Sequence, residues 1–110
     1  MLNPTRKRIA RFYFGIEFDK DGAPLLFSQV RALQGFKKLV AREAGGLTVY
    51  EANGVSVECP LGERTVVIET ILPDDRDAVA RIEEALLVVK AAMNQGSVLV
   101  TISEQEVLFV

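Results

Sequence analysis

The sequence predicts an α+β sandwich in which two helices cover one face of a mostly antiparallel sheet, in the order βαββαβ with an extra C-terminal hairpin strand. Residues 62–72, GERTVVIETIL, alternate with a period of two and are largely apolar on both faces, the pattern of a central strand covered on both sides. Residues 9–18, IARFYFGIEF, alternate as clearly, with Ala10, Phe12, Phe14, Ile16 and Phe18 on one face. Two further stretches repeat at helical spacing: Leu26, Val30, Leu33, Phe36 and Val40, then Val79, Ile82, Leu86, Val89 and Met93.

Taken in order, residues 1–8 read as an N-terminal arm and residues 9–110 as one domain. The aromatic strand places Gly15 on its second face, where a missing side chain relieves twist or lets a backbone or ligand come close. Asp19-Lys20-Asp21-Gly22 forms a turn, Pro24 approaches the first helix, and Gly45-Gly46 ends it after Ala44. Residues 47–52 and 55–59 are β-prone and separated by Asn53-Gly54, which predicts a small hairpin or one bent edge strand. Cys59-Pro60-Leu61-Gly62 then turns the chain into the central strand. Pro73 and Asp74 open the second helix, with Asp74 as the N-cap candidate and with Leu87 and Val88 expected against the first helix or, as the alternative, against another subunit. Asn94-Gln95-Gly96 closes it. Residues 97–102 form a strand, 103–105 a turn, and 106–110 a last strand.

Composition narrows the function classes. With 110 residues the chain supports one core, and 49% hydrophobic against 25% charged residues is the balance of a folded domain. A net charge of -2 gives no general attraction to nucleic acid or anionic membranes. The local exception is Arg6, Lys7, Arg8 and Arg11, read as a solvated basic arm or an anion contact. Histidine is absent and Cys59 is the single cysteine, which removes the familiar zinc sites, thiol–imidazole pairs and Ser-His-Asp triads. No metal or cofactor is expected. No apolar run approaches a membrane span and no basic, apolar leader precedes the fold, so the expected location is the cytoplasm.

Two βαβ-like halves with right-handed crossovers make this a ferredoxin-like layout, with the first and third strands adjacent at the centre. Arg11, Tyr13 and Glu17 then neighbour Glu63, Thr65, Val67 and Glu69 on the helix-free face. That face is too apolar to leave bare, which predicts self-association, with a ligand site where subunits meet. Glu63 and Glu69 are the candidate acceptors for a ligand amine, hydroxyl or sulfonium; the alternative is that each pairs with Arg11, Arg64 or a basic residue of another chain.

Three stretches carry a resemblance: Gly54-Val55-Ser56-Val57-Glu58, then Glu63-Arg64-Thr65-Val66-Val67, and Asn94-Gln95-Gly96-Ser97-Val98-Leu99-Val100 followed by Val107-Leu108-Phe109. In these the chain resembles the small phage S-adenosylmethionine lyases, once called hydrolases, and a bacterial family of small ferredoxin-like proteins of unknown function. The resemblance implies a homotrimer with ligand sites between subunits, and catalysis by a glutamate opening the central strand together with a tyrosine of the preceding hairpin. Glu63 stands at the glutamate position. Ser56 falls where the tyrosine is expected and the loop is shorter, leaving Tyr50 or Tyr13 as substitutes.

Three readings follow. The first is a non-catalytic homo-oligomer, trimeric by the resemblance, that holds an adenosine-like metabolite or nucleotide signal between subunits; a phage counter-defence protein sequestering such a signal in the host cytoplasm is one form of it. The second is an S-adenosylmethionine lyase, with Glu63 promoting attack by the ligand's own carboxylate. The third is an inhibitor that binds a protein partner through a sheet edge or the open face.

Overall fold

The computed structural model describes residues 3–57 and 59–110; Met1, Leu2 and Glu58, which belong to the expected arm and to the first resembling motif, lie outside the described residues. Six elements follow in order: β1 (Thr5–Gly15), α1 (Phe27–Ala44), β2 (Thr48–Gly54), β3 (Glu63–Ile71), α2 (Arg76–Ala92) and β4 (Leu99–Val107). The strands make one sheet in the order β2-β3-β1-β4, antiparallel throughout. This is the ferredoxin-like α+β arrangement, with β1 and β3 adjacent at its centre.

Alternation along β1 and β3 decides which face the helices cover. Ala10, Phe12, Phe14, Ile68 and Leu72 meet Leu33, Phe36 and Val40 of α1 and Ile82 and Val89 of α2 in one core, with Met93 at the end of α2. Its aromatic centre is Phe36, whose ring meets Phe12 and Phe14 edge-on at 5.2 and 5.5 Å between centroids. The helices are also clasped at the surface: Glu43 of α1 accepts from Arg81 of α2 at 2.9 Å and from Arg42. Arg81 foremost, against the cost of partial burial, holds the Glu43 carboxyl below its ordinary range.

At both ends of the chain the strands differ from expectation for one reason. β1 starts at Thr5, inside the expected arm, and β4 runs unbroken through Ser103, Glu104 and Gln105, so neither the turn nor the extra hairpin strand forms. Each segment is the other's partner, with Arg8 opposite Glu104, Lys7 opposite Gln105 and Arg6 opposite Glu106. Three of the four basic side chains are paired: Arg6 with Glu104 at 3.0 Å, Lys7 with Asp74 at 3.0 Å and Arg11 with Glu69 at 3.3 Å.

Other boundaries move locally. β1 stops at Gly15, leaving Phe18 in a single bridge with Pro24. Leu26 is the exposed N-cap of α1, where Gln29 reaches back to its backbone N–H, and Leu25 packs on the core in its place. Gly45 ends α1 at φ 87°, in the left-handed conformation expected there. Asn53-Gly54 does not make a hairpin turn; both stay in edge strand β2, opposite Arg64 and Glu63. The reversal comes later, where Gly62 N donates to Cys59 O and Gly62 takes φ 95°. α2 is capped by Asp75, which accepts from Asp77 N at 2.9 Å, one residue beyond the expected Asp74. Leu87 and Val88 are exposed and not packed into the helix pair, because the inward stripe at 3.6 residues per turn is filled by Ala78, Ile82, Ala85, Leu86 and Val89. Among the described residues no helix is long and apolar enough to cross a membrane.

If the Phe36 ring seats both helices on the sheet, Phe36→Ala should cost about 3–5 kcal/mol in urea unfolding, the range for deleting a buried aromatic. A loss below about 1 kcal/mol would show that the core closes without it.

Candidate functional site

The helix-free face is organised in rows across the strands. One row runs Tyr50, Val67, Tyr13, Leu99 in register from β2 to β4. Val67 is fully buried at 0% exposure although no helix covers it, since its cross-strand neighbours are the two tyrosines; Leu99, on the edge, is 60% exposed. The next row is Thr48, Glu69, Arg11, Thr101. Here Glu69 Oε2 accepts from Arg11 Nε at 3.3 Å and from the Tyr50 hydroxyl at 3.4 Å. Partial desolvation opposes the Arg11 charge, but Glu69 and Tyr50 outweigh it and hold its pKa above the ordinary guanidinium value.

Towards the other end of the face lies a cavity of about 370 Å³, bounded by the ends of β1 and β3, the loop after β2 and the segment after α2. It brings together Tyr13, Ser56 and Glu63. Arg11, Tyr50 and Glu69 are not in its wall, so the six residues singled out from the sequence divide into an open-face cluster and a cavity group.

Glu63 is fixed from the strand side of that cavity. Its Oε2 accepts from Phe18 N at 2.9 Å and Glu17 N at 3.2 Å, tying the first residue of β3 to the chain leaving β1. In return Arg64 N donates to the Glu17 carboxylate, and Ile16 N donates to Arg64 O. The brace requires Gly15: a Cβ there would lie 2.3–2.9 Å from the Glu63 carboxyl group. A carboxylate fixed by two backbone donors keeps lone pairs for a further partner and pays little conformational entropy to meet one.

The opposite wall includes residues not named as site candidates from the sequence. Gln95 donates to Phe18 O at 3.1 Å, Asn94 Nδ2 to Asp19 Oδ2 at 3.0 Å, and Lys20 N to Asn94 O at 2.9 Å. Asp19, Lys20, Gln95 and Gly96 thereby reach the cavity. In the sequence both stretches read as turns, and residues 94–96 also open the third resembling stretch. The Asn94 amide, then the Ala23 N–H, hold the Asp19 carboxyl below its ordinary range. Among the described residues no three His, Cys, Asp or Glu side chains converge on a metal position.

Two outcomes test this geometry. Gly15→Ala should displace the Glu63 carboxylate and cost about 1–3 kcal/mol, as overpacking does; an unchanged urea midpoint would mean that the brace contributes nothing. Because the folded pKa of Asp19 is lowered, its stabilisation is present above the unfolded-state pKa and is lost as pH falls through the folded one. Asp19→Asn should therefore flatten the acid limb of the stability profile, and an unaltered acid limb in urea melts would refute the assignment.

No protein-family model matches the sequence, and no curated protein matches it. Solved structures do match in fold. A phage SAM lyase in complex with S-methyl-5'-thioadenosine superposes with a TM-score of 0.63 at 17% identity, over 93% of this chain and 84% of that one. A phage SAM lyase in the apo state gives 0.63 at 17% identity, over 96% and 86%. CPII, a nitrogen regulatory PII-like protein from Thiomonas intermedia K12 bound to ADP, AMP and bicarbonate, gives 0.60 at 12% identity, over 96% of each chain. At these identities the likeness is one of architecture: the chain shares its ferredoxin-like fold with phage SAM lyase and PII-like proteins.

Proposed function

We propose that this chain is a small-molecule-binding protein whose cavity takes an adenosine-like ligand, with Glu63 as the principal acceptor and Tyr13 and Ser56 beside it. The observation that carries the reading is the Glu63 carboxylate, fixed by Glu17 and Phe18 N–H groups in the wall of a cavity of about 370 Å³. A cavity of that size suits a nucleoside-sized ligand. Two proteins of the same fold bind adenosine-derived compounds: S-methyl-5'-thioadenosine in one, ADP and AMP in the other. Charge favours the first kind of ligand. Among the described lining residues the charged side chains are Asp19, Lys20 and Glu63, two acids against one base, a poor setting for a polyphosphate and a suitable one for a neutral or cationic nucleoside.

Self-association belongs to the same proposal. The Tyr50, Val67, Tyr13, Leu99 row gives the open face an apolar centre, and copies of the chain arranged as a trimer would cover it and close the cavity. In this reading the protein sequesters its ligand in the cytoplasm, the behaviour of a counter-defence protein if it is phage-encoded, and Arg11, Tyr50 and Glu69 hold one another at the border of the covered face.

Calorimetry with S-methyl-5'-thioadenosine, S-adenosylmethionine, AMP and ADP, alongside native mass spectrometry, tests both parts. The nucleosides should bind more tightly than ADP, and Glu63→Gln should weaken them about 10–100-fold, the scale of one charge-assisted hydrogen bond. Release of S-methyl-5'-thioadenosine from S-adenosylmethionine would replace sequestration with the lyase reading. A monomer that takes up none of the four would overturn the proposal in favour of a protein-binding inhibitor acting through the exposed edges of β2 or β4.

A further inference from the structure

A second cavity, of about 390 Å³, lies at the opposite end of β3 and shares no lining residue with the first. Glu69 in its wall is four residues from Thr65 in the other, about 13 Å along the strand. Its apolar walls are Ile9 and Ile71, paired across β1 and β3, with Leu47, Val107 and Phe109.

The polar inventory is one-sided. Glu69 supplies the charge, and its Oε2 takes both bonds from Arg11 and Tyr50, so Oε1 is the oxygen available to a further donor among the described residues. Thr70 is committed, its hydroxyl donating to Gly46 O at 2.7 Å. The remaining polar wall is Thr48 of edge strand β2 and the end of α1 at Ala44, Gly45 and Gly46, where the helix dipole is negative. Among the described lining residues there is no lysine or arginine. Phe109, 84% exposed, adds an aromatic face suited to a cation.

The geometry points to a second ligand site, for a small amphiphilic amine: an ammonium head donating to Glu69 near the α1 C-terminus, with an apolar body against Ile9, Ile71 and Phe109. Arg11 offsets part of the Glu69 charge, so selectivity rests on the donor geometry of the head as well as on its sign. An anion meets a carboxylate and carbonyl oxygens here, and a neutral alcohol forgoes the charge-assisted bond. This site does not depend on the adenosine-like ligand.

Titrating the full chain with 2-phenylethylammonium in amide-resolved NMR tests it, with 2-phenylethanol and 3-phenylpropionate as neutral and anionic analogues. The amine should saturate, move the Gly46, Thr48 and Ile71 amides but not those of Gly15 and Gly96, and bind at least about tenfold more tightly than either analogue. Glu69→Gln should remove that preference. Thr48→Lys, which places a cation at the rim from an exposed edge-strand position and spares the Arg11 pair, should abolish binding while the fold persists. Equal affinity for the three probes, shifts confined to Gly15 and Gly96, absence of saturation, or a Thr48→Lys protein that still takes the amine would each overturn the assignment.

Discussion

The structure depends on β1 having partners on both sides through its centre, from Ile9 to Tyr13. From Ile9 to Gly15 it pairs with β3, and from Thr5 to Tyr13 with β4. One face of β1 carries Phe12 and Phe14, which seat α1, and the other carries Arg11 and Tyr13. Where β1 ends, Gly15 admits the Glu63 carboxylate and the chain leaves the sheet tied to β3. Core, open face and cavity are three results of one register, since a slip by one residue would exchange the faces.

The features legible in the sequence were those set by strong local periodicity. Phe12, Phe14, Phe36, Ile68, Ile82 and Val89 take core positions because alternation and helical spacing leave them no other face. What was not legible depended on partners far away in the chain. Arg6 to Arg8 look like a solvated arm until Glu104 to Glu106 lie beside them, and Ser103 to Gln105 look like a turn for want of that same strand. Asn53-Gly54 shows the same limit at short range. Glycine there lets β2 approach Thr65, whose Oγ1 would be 2.8 Å from an added Cβ, and the Asn53 amide packs against Gly62. Close approach and tight turning favour the same residue types, and only the tertiary fold tells them apart.

The candidate site divides in the same way. Glu63 and Glu69 stand out as carboxylates on an apolar strand, yet their surroundings differ: Glu69 meets Arg11 and Tyr50 across the sheet, whereas Glu63 meets backbone N–H groups beyond the end of β1. Side-chain pairs of the first kind follow from strand order. Backbone donors of the second kind carry no sequence signature, because every residue but proline has one. Asp19, Asn94 and Gln95 were opaque for a related reason, as polar residues in two turns whose proximity is a property of the finished fold.

The overhang of β1 and β4 beyond β3 bears on how the protein can vary. Residues 5–8 form a two-stranded ribbon with Glu104 to Val107, past the last residue β3 pairs, and the molecule is drawn out to 52 Å along its longest axis. Lengthening such a ribbon leaves the other contacts intact when equal numbers of residues are added to both strands at its outer end, whereas trimming it removes Val107 from the second cavity and then the Lys7–Asp74 pair. An unmatched change inside it would force a bulge or shift the register of all that follows. Related chains should therefore differ in the reach of this ribbon through coupled insertions in β1 and β4, while the length of β3 stays constant.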